Sequence, residues 1–151
     1  MSERDGGGGS DHVLALVHER TRAVIASSVE LAFTRRARRV GLLGRTHLDA
    51  ANALFLAPCL TIHTAFMQFP IDVVFLARDR RAVRLIHELR PWRAAVSVWA
   101  HAVIELAAGS LRRHDVRIGD RLYLTPDWTL AGRGGHGVDM RISQAMGSPG
   151  C

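Results

Sequence analysis

Lysine is absent from this chain of 151 residues: all 20 of its basic side chains are arginine. Arginine stays protonated to very high pH, so the apparent pI of about 11.1 overstates a formal net charge of only +6. Wholesale replacement of lysine by arginine points to a bias toward GC-rich codons, which weakens arginine-rich stretches as evidence for nucleic acid. Cysteine is almost as scarce. Cys59 lies mid-chain and Cys151 ends a Gly/Ser/Pro tail, so a disulfide framework is not expected. No apolar run approaches the roughly 20 residues needed to span a bilayer. The opening MSERDGGGGSD lacks the apolar centre of a secretory signal, which makes the cytoplasm the default expectation. Internal repeats are also missing.

What is present suits one compact domain, because 48% hydrophobic content at this length can fill a core unaided. Residues 1–11 read as a flexible leader, 12–125 as a single α+β domain, and 126–151 as a mostly disordered glycine-rich tail. Within the domain, 13–18 and 23–33 have strand character. Val29, Leu31 and Phe33 alternate with polar or small neighbours and should face inward. Thr34 is a candidate N-cap for a helix over 35–43, with Ala37, Val40 and Gly44 on its inner side. Further strands are predicted at 54–56, 71–77, 82–89, 100–106 and 121–124, with Asp79-Arg80-Arg81 as a hairpin turn and a helical turn after Gly109. Short turns between many strands favour a small β-rich α+β domain, a mixed and mostly antiparallel sheet or half-open barrel with one or two short helices.

The central segment PCLTIHTAFMQFPIDVVFL carries a resemblance. Pro58-Cys59, Ile62-His63-Thr64, Phe66-Met67, Phe69-Pro70-Ile71-Asp72 and Phe75-Leu76 look like the signature of a bacterial and archaeal family known as domain of unknown function 192. Gly41-Leu42-Leu43-Gly44-Arg45, Pro91-Trp92-Arg93, Glu105-Leu106, Ala108-Gly109 and Gly119-Asp120 agree with it, over about residues 24 to 124. The resemblance implies a compact β-rich α+β fold and no established activity. Leu43 and Ala107 replace the methionine and proline usual in that family, both mild changes. Some relatives lack the Ile-His-Thr stretch, which favours Asp72 over His63 as the shared residue.

Several side chains carry possible chemistry. Cys59, Thr61 and His63 share one side of an extended chain, and a thiol beside an imidazole is how cysteine nucleophiles are activated. The simpler reading is a buried cysteine acting as a small hydrophobe and a histidine satisfied by backbone. Cys59, His63 and Met67, spaced by four, would suit a thiophilic metal, but no second Cys/His pair accompanies them, His47 and His87 are unplaced, and no metal is expected. Asp72 and Glu105 each interrupt an apolar strand, where a carboxylate must be bonded or have its pKa raised. Asp72 is expected to anchor local backbone beside Pro70; were Asp72, Glu105 and His63 to face one cavity, that cavity would be the site. Arg35, Arg36, Arg38 and Arg39 crowd the start of the helix against its dipole, either as an anion-binding face or as a solvated surface.

The expected function is a non-enzymatic ligand-binding or accessory protein. Its candidate pocket is lined by Cys59, His63, Thr64, Asp72, Trp92 and Glu105 and takes a small polar ligand or a peptide end. One alternative is a hydrolase-like enzyme using Cys59 or Asp72 with His63. The other is an anion or nucleic-acid binder working through Arg35, Arg36, Arg38 and Arg39. Nucleic acid is disfavoured because Trp92, Trp99 and Trp128 are not interleaved with basic residues. The sequence names no cofactor, and the chain is expected to be monomeric.

Overall fold

Nine strands and two short helices make up residues 13–126, the part that the computed structural model describes. The proposed leader and all but the first residue of the proposed tail lie outside them. In chain order the elements are β1 (Leu14–His18), β2 (Val24–Ala32), α1 (Arg35–Val40), β3 (Asn52–Leu56), β4 (Thr61–His63), β5 (Ile71–Leu76), β6 (Ala82–Leu89), β7 (Ala94–Val96), β8 (Ala102–Ala107), α2 (Ser110–Arg113) and β9 (Leu122–Thr125). Seven strands form one sheet in the order β6-β5-β8-β3-β2-β1-β9, antiparallel except for the parallel β2–β3 pair. β4 and β7 form a separate two-stranded ribbon.

The large sheet curls into a half-barrel. Its two edges meet at the turn before β9: Arg81 bridges Arg121, Ala82 N–H donates to the Asp120 carbonyl at 2.8 Å, and Gly119 N–H donates to Ala82 at 2.8 Å. One core fills the concave side with Leu16, Phe55, Val74, Ile104, Leu106, Leu111 and Leu122, drawn from strands across the sheet. A second core covers the convex side of β3, β5 and β8. Here Leu54, Leu56, Ile71, Val73, Phe75 and Val103 pack under Leu42, Cys59, Ile62, Met67 and Ala95. This double coverage explains why all six residues of β5, IDVVFL, are buried, as in a central strand with both faces packed.

The short elements depart from expectation. Thr34 caps α1 as predicted, accepting from Ala37 N–H at 3.0 Å, but the helix ends at Val40 with Gly41 at φ 45°. Val40 points to solvent, and Leu42 takes the buried place after the turn. Leu31 and Phe33 lie past Val29, the last β2 residue paired with β1, and stay partly exposed, whereas Ala32 between them is buried. β4 and β7 were not foreseen. Thr61 and His63 do share a side, the exposed one, but the bend at Pro58 sends Cys59 into the convex core with Ile62. No helix among the described residues is long and apolar enough to cross a membrane.

Candidate functional site

Asp72 and Glu105 sit on adjacent strands but on opposite faces. In the β5–β8 register Asp72 pairs with Leu106, and Val73 with Glu105, so alternation sends Asp72 to the concave core and Glu105 to the convex one. Asp72 is fully buried, and both oxygens are occupied. Oδ1 accepts from Glu88 N–H at 2.8 Å and Oδ2 from Leu111 N–H at 2.9 Å. It is an anchor, as expected, but a long-range one. It ties the irregular end of β6 and the first turn of α2 to the central strand, whereas local backbone beside Pro70 was expected.

Glu105 has the opposite environment. It is 5% exposed, its Oε2 is buried, and that oxygen has no hydrogen-bond partner among the described residues. Burial raises its pKa from 4.5 to about 7, opposed by the nearby Arg45 guanidinium. Its cross-strand neighbours are Leu54 and Val73. The turn after α1 comes close to Leu54, whose side chain a Cβ at Gly41 would touch. Arg45 itself pairs with Glu30 at 2.6 Å, and both side chains are partly exposed. The result is a buried acid with one oxygen unpartnered among the described residues, near an ion pair of one arginine and one glutamate.

The other expected pocket residues do not converge on either acid. Thr64 is fully buried and entirely occupied. Its hydroxyl lies 2.7 Å from the Arg90 carbonyl and accepts from Arg93 N–H at 2.9 Å, and its carbonyl accepts from Met67 and Trp92 N–H groups at 3.2 and 3.0 Å. His63 is exposed on β4, opposite Ala94 of β7. Trp92 is 58% exposed and meets Phe66 edge-on, ring centroids 4.5 Å apart. Cys59 is buried, its Sγ is 3.2 Å from the Thr61 carbonyl oxygen, and it is not a free thiol. The pairing of Cys59 or Asp72 with His63 that hydrolysis requires is therefore not assembled. No group of three or more His, Cys, Asp or Glu among the described residues is placed to hold a metal ion.

The family model described as DUF192, Uncharacterized ACR, matches residues 16–124. The chain belongs to the DUF192 family. Two solved structures share the fold at a TM-score of 0.64 each. One is a protein of unknown function from Novosphingobium aromaticivorans, 22% identical over 74% of this chain and 83% of its own. The other, from Sinorhizobium meliloti, is described as "a putative transcription regulator", 24% identical over 73% of this chain and 90% of its own. No curated protein matches.

Two further groups of charged side chains in this DUF192 domain lie apart from the two buried acids. The arginine cluster of α1 is divided: Arg35, Arg36 and Arg39 are exposed, whereas Arg38 turns back to donate to the Phe33 and Ala57 carbonyls at 2.5 and 3.3 Å. A polar network at the barrel seam was missed altogether. His18 is fully buried, with Nε2 2.8 Å from Asp120 Oδ2 and Nδ1 3.0 Å from Thr21 Oγ1. Burial opposes ionisation of Asp120, but hydrogen bonds from Arg20, the Arg117 amide and His18 outweigh it and hold the carboxyl at about 2. A cleft of about 360 Å³ beside this network is lined by Glu19, Arg20, Arg81, Gly119, Asp120 and Arg121. In the sequence Gly119-Asp120 stands out only as part of a turn and of the family resemblance; nothing there signals a buried histidine a hundred residues away.

Proposed function

We propose that this DUF192 domain is a non-enzymatic binding module that takes a small polar ligand through the Glu105 carboxyl. The observation that carries the reading is the buried Oε2 of Glu105, left without a hydrogen-bond partner among the described residues, an expense that folded proteins rarely bear without use. A buried acid with a raised pKa is also the kind of group that concentrates at functional sites. The ligand it suits brings a compact cationic donor, such as a small amine or the amino end of a peptide. Arg45, held on Glu30 at the rim, is the group that such a cation would displace or screen.

The test is thermal unfolding of the full chain against a series of primary amines and short unblocked peptides. A native-state binder raises the midpoint. At least one member should raise it for the natural chain and none for Glu105→Gln. Binding should also release a proton near pH 7, because a neighbouring cation lowers the Glu105 pKa. Equal responses from both proteins, or none from the natural chain, would remove the proposal.

A further inference from the structure

Two segments far apart in sequence build an aromatic and basic surface around the β4–β7 ribbon. Phe66 and Trp92 are 72% and 58% exposed, and both are held at positive φ, 64° and 60°. Bulky side chains are rarely kept in that region, where glycine or asparagine costs less. Such strain persists only where the surroundings enforce it, and it clusters at functional positions. The enforcing group here is Thr64, whose carbonyl accepts the Trp92 and Met67 amides and whose hydroxyl holds the Arg90–Arg93 turn. Thr64 therefore positions both rings without touching anything outside the protein.

The charge of this surface has one sign. Residues 59–70 and 89–101 contain no aspartate or glutamate, yet they supply His63, Arg90 and Arg93. Arg90 and Arg93 are exposed, and among the described residues neither forms an ion pair with a carboxylate. Trp92 lies between them in the chain. Its ring and that of Phe66 are too close for another ring to enter between them, so their outer faces are the open ones. Exposed ring faces beside arginines that have no carboxylate partner among the described residues match the needs of unstacked bases and their phosphates. An extended acidic peptide would gain the same charge contacts but has no use for flat ring faces.

We infer that the Phe66–Trp92 surface, with Arg90, Arg93 and His63, binds single-stranded nucleic acid without sequence preference. This site is separate from Glu105, and its test does not depend on that reading. The sequence alone disfavours nucleic acid because the three tryptophans are not interleaved with basic residues in the manner of a single-strand platform; folding places Phe66 against the Arg90-Pro91-Trp92-Arg93 turn.

The experiment is fluorescence anisotropy of the full chain with a labelled oligothymidylate of about twelve nucleotides, and with a duplex of the same length. Tryptophan fluorescence is read in parallel. The single strand should bind better than the duplex and quench tryptophan emission. With two or three phosphates neutralised, the slope of log affinity on log salt should be roughly −1.4 to −2. Trp92→Ala and Phe66→Ala should each weaken binding about tenfold. The double change Arg90→Ala/Arg93→Ala should flatten the salt slope. Trp92→Gly, which suits the positive φ, guards against misfolding and should weaken binding as Trp92→Ala does. No binding at low salt overturns the inference. So does affinity unchanged by all three aromatic substitutions, or a polyglutamate peptide that binds as tightly as the oligonucleotide.

Discussion

Asp72 and Glu105 begin from the same chemistry, a carboxylate inside an apolar strand, and they end with opposite properties because of which backbone amides each can reach. Asp72 has an N–H on each oxygen, so its burial is compensated. Asp72→Ala should lower stability by about 3 kcal/mol, since two buried amides lose their acceptor. Asp72→Asn should cost less, because one oxygen remains to accept. Denaturant unfolding of both variants checks the order. Glu105 has its pKa raised from 4.5 to about 7, so the folded state holds a proton that the unfolded state releases. The natural chain should therefore lose stability as pH rises from about 4.5 through 7, and level off above that. The total loss is about 3 kcal/mol. Glu105→Gln should abolish this slope and be the more stable protein at pH 8, a comparison read from midpoints across pH. Both acids are legible in the sequence as misfits. Their separation is not, because it depends on the pairing of Asp72 with Leu106, a register that no local pattern encodes.

At the scale of elements, legibility follows length and periodicity. The long strands β2, β5 and β6 and the β5–β6 hairpin stand close to their expected positions, because their apolar runs are bounded by turn residues. β4 and β7 are three residues each, with one inward side chain apiece, Ile62 and Ala95, and so short a pattern carries no period. Missing that ribbon meant missing what Thr64 does. Thr64 was expected to line a pocket, yet its hydroxyl and carbonyl hold the two loops that present Phe66 and Trp92. Thr64→Val keeps the shape and removes the hydroxyl, so it should cost about 2 kcal/mol and loosen the Arg90–Arg93 turn. Backbone strain at Trp92 is separable from this. Trp92→Gly should be more stable than Trp92→Ala by about 1 kcal/mol, because only alanine retains a Cβ at φ 60°. At an unstrained position the order would be reversed.

Across the whole molecule, the half-barrel is held shut by few groups. Its edges touch through the Arg81–Arg121 bridge and the amides of Ala82 and Gly119, and the polar network behind that contact centres on Asp120. His18 reaches Asp120 from the end of β1, Arg20 from the following turn and the Arg117 amide from the turn before β9. Asp120 thus joins the first strand and the last turn through its carboxylate, and the opposite edge of the sheet through its backbone carbonyl, which accepts from Ala82. Because its folded pKa is held at about 2, below its ordinary value of 3.8, the stability it supplies is present above pH 4 and lost as pH falls through 2. Asp120→Asn leaves the shape and removes the charge. It should cost about 2 kcal/mol at neutral pH, as expected for hydrogen bonds to a charged group, and show a shallower loss in acid. Hydrogen exchange locates the effect. If Asp120 closes the seam, the Ala82 and Gly119 amides should exchange faster in the variant, while β5 and β8 keep their protection. Uniform acceleration throughout the sheet would instead mean that the seam opens only with global unfolding, and that the barrel is one cooperative unit.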